Sequence, residues 1–490
     1  MTTKRLFLLL LSLGVLLRTV LIWHAPLWYD ENFTYLVSRL PFDRMIQATA
    51  GDVHPPLWYA LLWPFYQLFP DLPLWFIRVP ALVFSCLGLW LFWRLMERME
   101  ITDQVKLIAL AIFAISPLQV YYAQEGRAYS LLLVLVLWAV ISILDRAWVP
   151  FTIAAVLMVY THTYGLIYCV VLAIVAVWLR RENWRGVLVS GLVTVLLFIP
   201  WALVMFQQMQ TLGNGYWISD REPAAILYTL YRLVFFTSGK STTELPAMFV
   251  GFSWLMLAIV YAIRRKQPVM LWLTFAPLGV AWLITLLWQP IILFRAFLPM
   301  TPFLCILLAQ PLAAWKPRMQ LYAAVFIVPL VLVRLQSIYV YSTDVKDLGN
   351  ILATAEVIRD RWQPGDLIVH VGDGSYVTLT PILLATDYPS IHVPDCGWTL
   401  GRLSDQTRQA LGVDVRYPEP GRRLWILYGE TPLSPPCRPV QFAPLLEDAS
   451  LVMVIEETDY QFSHLYLLDP SHAGLEQNCY YDLANELECH

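Results

Sequence analysis

Long apolar runs recur along the first two thirds of the chain, each closed by a short charged or proline-containing break. A helix needs roughly 20 predominantly apolar residues to cross the hydrocarbon core of a bilayer. By that measure the pattern predicts spans near 6–23, 74–95, 106–122, 129–145, 149–160, 165–179, 186–206, 247–263, 269–288, 294–314 and 320–341. The run over 149–160 is short and reads either as an extended span or as a re-entrant segment. The expectation is a polytopic α-helical membrane protein with about eleven transmembrane helices. Two further apolar stretches are too short to cross. Leu57 to Phe69 is rich in Trp and Tyr and is led by Pro55-Pro56, which suit a first helical turn, so it predicts a helix lying in the membrane interface. The stretch near 224–236, behind Gly213-Asn214-Gly215, predicts another.

Beyond 342 the pattern becomes that of an ordinary globular sequence. A helix near 346–362 leads through Pro364-Gly365-Asp366 into a strand over Leu367–Val371. Helices near 376–386 and 403–411 and strands over Arg423–Tyr428, Leu451–Glu456 and His464–Leu468 follow. Residues 1–341 thus form a transmembrane domain and 342–490 a soluble α/β domain with a Rossmann-like layer. Gly372-Asp373-Gly374 lacks the spacing of a dinucleotide fingerprint, so no nucleotide site is expected there.

Composition agrees. The chain is 58% hydrophobic and 14% charged, where a soluble protein carries about 25% charged residues. A soluble enzyme, a disordered chain and a nucleic-acid binder are excluded. The net charge of −3 hides a split: residues 1–341 hold 24 Lys and Arg against 14 Asp and Glu, and residues 342–490 hold 9 against 22. Basic residues cluster at Lys4-Arg5, at Arg94, Arg98 and Lys106, at Arg146, at Arg180, Arg181 and Arg185, at Arg264-Arg265-Lys266, and at Lys316 and Arg318. These fall in alternate loops, which the positive-inside rule places in the cytoplasm together with the N-terminus. The first run lacks a small-x-small cleavage pattern before Trp23 and reads as a retained anchor. The opposite loops and everything after 342 then face the periplasm or cell exterior. Seven cysteines include no C-x-x-C pair, which disfavours a zinc ribbon; Cys396, Cys437, Cys479 and Cys489 would suit up to two disulfides or stand as thiols.

The candidate chemistry lies on that outer side. Asp30 and Glu31 follow the first span at the start of a short helix, where a partly desolvated carboxylate can serve as a base. The same pair suits a helix N-terminus, whose dipole favours acids. His54 precedes Pro55-Pro56 and suits a phosphate partner or a metal ligand, or an ordinary loop hydrogen bond. Glu125 and Arg127 stand at the mouth between two spans in Gln124-Glu125-Gly126-Arg127-Ala128-Tyr129, where ionisable groups are costly and mark function, or else pair with each other. His162 occupies a polar tip, Tyr160-Thr161-His162-Thr163-Tyr164. Arg295, just inside an apolar run, and Arg78 in a similar place both suit a lipid phosphate, which a guanidinium grips bidentately, or a phospholipid headgroup. In the loop over 207–246, Arg232 and Lys240 offer charge.

The order of these pieces over residues 1–341 resembles the GT-C glycosyltransferases that use polyprenyl-phosphate sugars. These include the protein O-mannosyltransferases, the lipid A aminoarabinose transferase and bacterial dolichyl-phosphate-mannose-protein-mannosyltransferase-like proteins. The likeness rests on Asp30-Glu31, on His54-Pro55-Pro56-Leu57-Trp58-Tyr59, on Gln124 to Tyr129, on Tyr160-Thr161-His162 and on Arg295 with Pro299 and Pro302. It implies an inverting transfer in which Asp30, with Glu31 beside it, acts as general base. It also implies Glu125 as a second acid orienting the acceptor. His54, Arg127, Tyr129, His162 and Arg295 would bind substrate, with Arg295 stabilising the leaving phosphate, and a divalent metal ion, with His54 and Glu125 as candidate ligands, is used by some relatives and not others. The partners implied are a polyprenyl-phosphate sugar, a glycolipid, glycan or protein acceptor, and membrane lipids. The competing expectations are a lipid-linked sugar transporter or flippase and a non-catalytic lipid-phosphate-binding membrane protein. No inverted repeat supports the first, and the second has no need of Asp30 together with Glu125.

Overall fold

The computed structural model describes residues 2–24, 26–212, 224–235, 245–322, 325, 331–332, 335, 351–371, 373–383, 388–393, 403–416, 418, 422–430, 450–457, 461–468, 479–481 and 487–489. The predicted span over 320–341, Gly213 to Gly215, Lys240, Cys396 and Cys437 fall largely or wholly outside them. The chain divides into two compact units. One comprises Met1–Ile22, Val53–Leu61 and Phe76–Tyr341, and the other Trp23–Asp52, Leu62–Trp75 and Ser342–His490.

The first unit is helical. Its elements are α1 (Thr3–Thr19), the start of α4 (Leu57–Leu68), α5 (Val79–Arg98), α6 (Asp103–Ile115), α7 (Pro117–Ala123), α8 (Tyr129–Leu144), α9 (Trp148–Thr161), α10 (Gly165–Leu179), α11 (Trp184–Leu212), α12 (Ala224–Phe235), α13 (Leu245–Arg264), α14 (Pro268–Leu287) and α15 (Thr301–Ala314). The second unit holds α2 (Tyr29–Arg39) and α3 (Phe42–Ala50). Among the described residues, four helical stretches are long and apolar enough to cross a membrane: Leu74–Arg98, Arg181–Met209, Pro268–Leu287 and Phe294–Ala314. The bent pair α6 and α7 makes a fifth. Several others, α8, α9 and α10 among them, are apolar but shorter. The 149–160 run forms α9, an ordinary helix. Burial separates the roles of these helices. Leu188, Leu192, Val195, Leu203 and Phe206 of α11 lie exposed, as a lipid-facing stripe requires, whereas α15 is buried from Thr301 to Leu312.

The run over 106–122, expected as one span, breaks at Ser116-Pro117 and turns by 54°. Pro117 has no N–H for the carbonyl of Phe113 four residues earlier, so a straight helix would leave that oxygen bare. Arg18, fully buried in α1, takes over: its Nη2 donates to Phe113 O at 3.2 Å and its Nη1 to Ala114 O at 2.8 Å. The same guanidinium donates to Gly14 O at 2.9 Å and to Ser85 Oγ at 3.0 Å. A buried charge inside an apolar unit is thereby spent on joining α1, α5 and α6.

The second unit is built on a five-stranded sheet of order β2-β1-β3-β5-β4, with β1 (Leu367–Val371), β2 (Ser390–His392), β3 (Leu424–Glu430), β4 (Ser450–Glu457) and β5 (Gln461–Leu468). β1 lies parallel to β2 and β3, but β5 runs antiparallel to both β3 and β4. The layer is therefore Rossmann-like only on its β2-β1-β3 side. Alternate residues bury opposite faces: Ile368, Trp425 and Leu427 pack with α16 (Ile351–Arg361) and α17 (Asp373–Leu383), while Leu367, Val369, Leu424 and Ile426 form the core on the other face. Gly365 adopts φ +102°, the turn expected before β1. Asp366 closes that turn, accepting from Gln363 N at 3.0 Å and from Trp425 Nε1 at 2.8 Å. Strands Cys479–Tyr481 and Leu487–Cys489 form a separate antiparallel pair with Cys479 opposite Cys489.

His370 of β1 pairs in register with His392 of β2, and both are buried. Burial, followed by the charge of His392, lowers the His370 pKa to about 3. The unfolded chain binds a proton near pH 6.5 and the folded one does not, so stability falls as pH drops through the window from about 6.5 to 3. The expected slope is about 1.4 kcal/mol per pH unit in that window. Hydrogen exchange of β1 and β3 across this range measures it, and His370→Leu flattens the profile.

Two helices of the first predicted outer loop belong to this unit. α2 packs on α17, and α3 packs on α18 (Asp405–Leu411).

Candidate functional site

The site grows from the turn between α7 and α8. Gln124 Nε2 donates to the carbonyls of Leu17, Arg18 and Val20, at the end of α1 and just past it. Ser130 Oγ donates to Tyr122 O at 2.9 Å, and Trp58 Nε1, on the first turn of α4, donates to Gly126 O at 2.9 Å. Gly126 is required by close approach, since a Cβ there would lie 2.9 Å from Ile77 side-chain atoms. These bonds hold Glu125 and Arg127 in place with almost no exposure, 1% and 5%.

Arg127 Nη2 lies 3.0 Å from His54 Nε2. A guanidinium only donates, so that nitrogen of His54 accepts and its proton stands on Nδ1. The His54 ring meets His162 edge to face with centroids 5.3 Å apart, and His162 lies 5.6 Å from the Tyr129 ring. The Arg295 guanidinium stands 5.9 Å from the centroid of Tyr129. All five residues expected from the sequence to bind substrate, His54, Arg127, Tyr129, His162 and Arg295, are thus gathered in one cluster of the helical unit. A small cavity opens between His54, Trp58, Tyr59, Arg127, Tyr129 and His162.

His162 terminates α9, in the turn before α10. Its Nδ1 accepts from Tyr164 N at 3.2 Å, which fixes the remaining proton on Nε2. Nε2 is buried, with no hydrogen-bond partner among the described residues. Burial above all, then the charges of His54, Arg127 and Arg295, hold this imidazole well below the usual histidine range. It is a neutral N–H donor at the cavity wall.

Other contacts extend the cluster beyond the nominated residues. The Tyr122 ring lies 5.1 Å from Tyr129 and 6.4 Å from Phe294. Arg232 of α12 stacks 4.3 Å over Phe294 and donates to Tyr228 OH at 2.8 Å. Trp58 and Tyr59 stood in the motif that begins at His54 without a role of their own, and Tyr122 was not singled out, since aromatic residues are plentiful in every apolar run. Arg78, grouped by sequence with Arg295, is fully enclosed and donates to Ile22 O at 2.9 Å. It ties the segment after α1 in place.

Asp30 and Glu31 begin α2, in the other unit. Glu31 is fully buried and its carboxylate accepts from Trp28 N at 3.5 Å, capping the helix, while Asp30 is partly exposed. Among the described residues no three His, Cys, Asp or Glu side chains gather to hold a metal ion. Arg127 and Arg295 bring two guanidinium groups to the cluster around His54 and Tyr129.

A helical unit with exposed apolar stripes, and a partly buried cluster of cationic and imidazole side chains between helix ends, describe an integral membrane protein. No family model and no curated protein matches the sequence. Two solved structures match nearly its whole length: ArnT from Cupriavidus metallidurans in the apo state, and the same protein bound to undecaprenyl phosphate. The identities are 14% and 15% and the TM-scores 0.61 and 0.58, and each comparison covers 96% of this chain and 99% of the other. The chain has the fold of ArnT, the GT-C fold.

Proposed function

We propose that this chain is an inverting glycosyltransferase that moves a sugar from a polyprenyl-phosphate carrier to a hydroxyl or amine acceptor on a glycolipid, glycan or protein at the outer face of the membrane. The observation that carries the reading is the group of Arg127 and His162, both buried, with the partly buried His54 and Arg295, in a chain with the ArnT fold. It offers two fixed positive charges and a neutral N–H donor, which complements a phosphate with its sugar attached. That one ArnT structure holds undecaprenyl phosphate supports the same choice of carrier.

In this reading the Asp30 carboxylate takes the proton of the acceptor, whose oxygen or nitrogen attacks the anomeric carbon from the face opposite the phosphate. The bond from that carbon to the phosphate oxygen breaks, and its electron pair leaves with the lipid phosphate. A phosphate is already a good leaving group, so the site needs charge stabilisation and no general acid. Arg295, Arg127 and His162 supply it, and Glu125 orients the acceptor. The N-terminus faces the cytoplasm, and the membrane part crosses about eleven times, in keeping with the alternating charged loops.

The test is release of free polyprenyl phosphate by the purified chain in lipid nanodiscs, from a panel of polyprenyl-phosphate sugars with membrane glycolipid extract as acceptor. Release from at least one donor, dependent on the acceptor, is expected. No release from any donor, with or without divalent metal, would move the reading to lipid-phosphate binding or transport.

A further inference from the structure

The C-terminal domain grips the first outer loop at one point with unusual closeness. Gly51 ends α3, and a Cβ on it would collide with Ser404 Oγ and stand 2.5 Å from Thr407 Oγ1 and 3.0 Å from Thr407 N. Thr407 Oγ1 in turn donates to Ala48 O at 3.1 Å. Ala48 carries one of the last carbonyls of α3, which no helical N–H can reach. Thr407 is itself held by the cap of α18, where its N–H donates to Ser404 Oγ at 3.1 Å. Both Thr407 and Ala48 are buried. A two-residue link joins α3 to α2, and α2 packs on α17 of the same domain.

We infer that Gly51, Ser404 and Thr407 form a latch by which the C-terminal domain positions α2 and α3, and with them the Asp30 carboxylate, for attack by the acceptor. The inference rests on the reading of Asp30 as general base. Thr407 and Gly51 touch no reactant and act through α3, so they are positioning residues. His54, three residues beyond Gly51 in the chain, is held separately by Arg127 in the helical unit. Loss of the latch therefore falls on kcat and leaves the donor KM in place.

The experiment compares Thr407→Val, Thr407→Ser and Gly51→Ala in the full chain in nanodiscs, with wild type and Asp30→Asn alongside. Thr407→Val keeps the side-chain shape and removes the hydroxyl, with its bonds to Ala48 O and Ser404 Oγ. The expected result is a kcat about tenfold lower for Thr407→Val and Gly51→Ala, with the donor KM within about twofold, since small misplacements of a reacting group are costly. Thr407→Ser, which keeps the hydroxyl, restores kcat. Faster hydrogen exchange over 29–50 in the two impaired variants, with β1 and β3 still protected, locates the change in the loop. Wild-type kcat in Thr407→Val and Gly51→Ala, beside a dead Asp30→Asn, would overturn the latch and leave the transferase reading intact. An inactive wild type would overturn both.

Discussion

Asp30→Asn lowers release of lipid phosphate by at least about a hundredfold, with little change in donor KM. The substitution keeps the size and the helix start but removes the group proposed to take the acceptor's proton, and a positioned general base contributes roughly 10²- to 10⁴-fold. Its neighbour cannot stand in. Glu31 is fully buried and engaged with Trp28 N at the end of α2. Glu31→Gln is therefore read chiefly in stability. Equal rates for Asp30→Asn and wild type would make Asp30 a helix-terminal acid, and the base would have to be sought at Glu125.

Arg18→Met gives the largest expected effect on stability. The thioether matches much of the arginine stem, so packing is largely retained, but four hydrogen bonds are lost. Phe113 O and Ala114 O are left at a helix break inside an apolar unit with no water to replace the guanidinium. Unsatisfied buried polar groups cost about 1–3 kcal/mol each, so a loss of about 3–5 kcal/mol is expected. Thermal unfolding followed by size-exclusion chromatography in detergent reads this as a lower midpoint and a smaller folded fraction. An unchanged midpoint would mean that the break at Ser116-Pro117 satisfies its own carbonyls. Because Gln124 is docked on the carbonyls at the end of α1, the same variant loosens the turn that carries Glu125 and Arg127.

These two residues also mark what a sequence reveals and conceals. His54, Glu125, Arg127, His162 and Arg295 were legible because an ionisable group beside apolar runs is costly and stands out by its chemistry alone. Arg18 is just as costly, yet it passed as part of the first span, since hydropathy is summed over a window and its partners lie about 95 residues away. The same averaging hid the bend in 106–122, although Pro117 was in plain view. Arg78 and Arg295 looked alike in sequence, and only geometry separates a guanidinium bonded to Ile22 O from one above the Tyr129 ring. In the C-terminal part, β1 was legible as a continuous apolar run bounded by a proline-glycine turn. β2 is three residues long, too short to leave a periodic trace. The grouping of α2 and α3 with the C-terminal sheet is a matter of tertiary contact, on which local pattern is silent.

The hydrogen bond from Thr407 to Ala48 joins residues 359 apart in the chain. During synthesis the first outer loop emerges early, and the residue that completes the end of α3 emerges only near the end. A chain that stops before residue 404 holds every helix of the membrane unit, and His54 through Arg295 with them, but lacks α18, on which α3 packs. If the latch sets Asp30 as inferred, such a product is expected to bind carrier lipid without turning it over, so that transfer waits on the last part of the chain to fold.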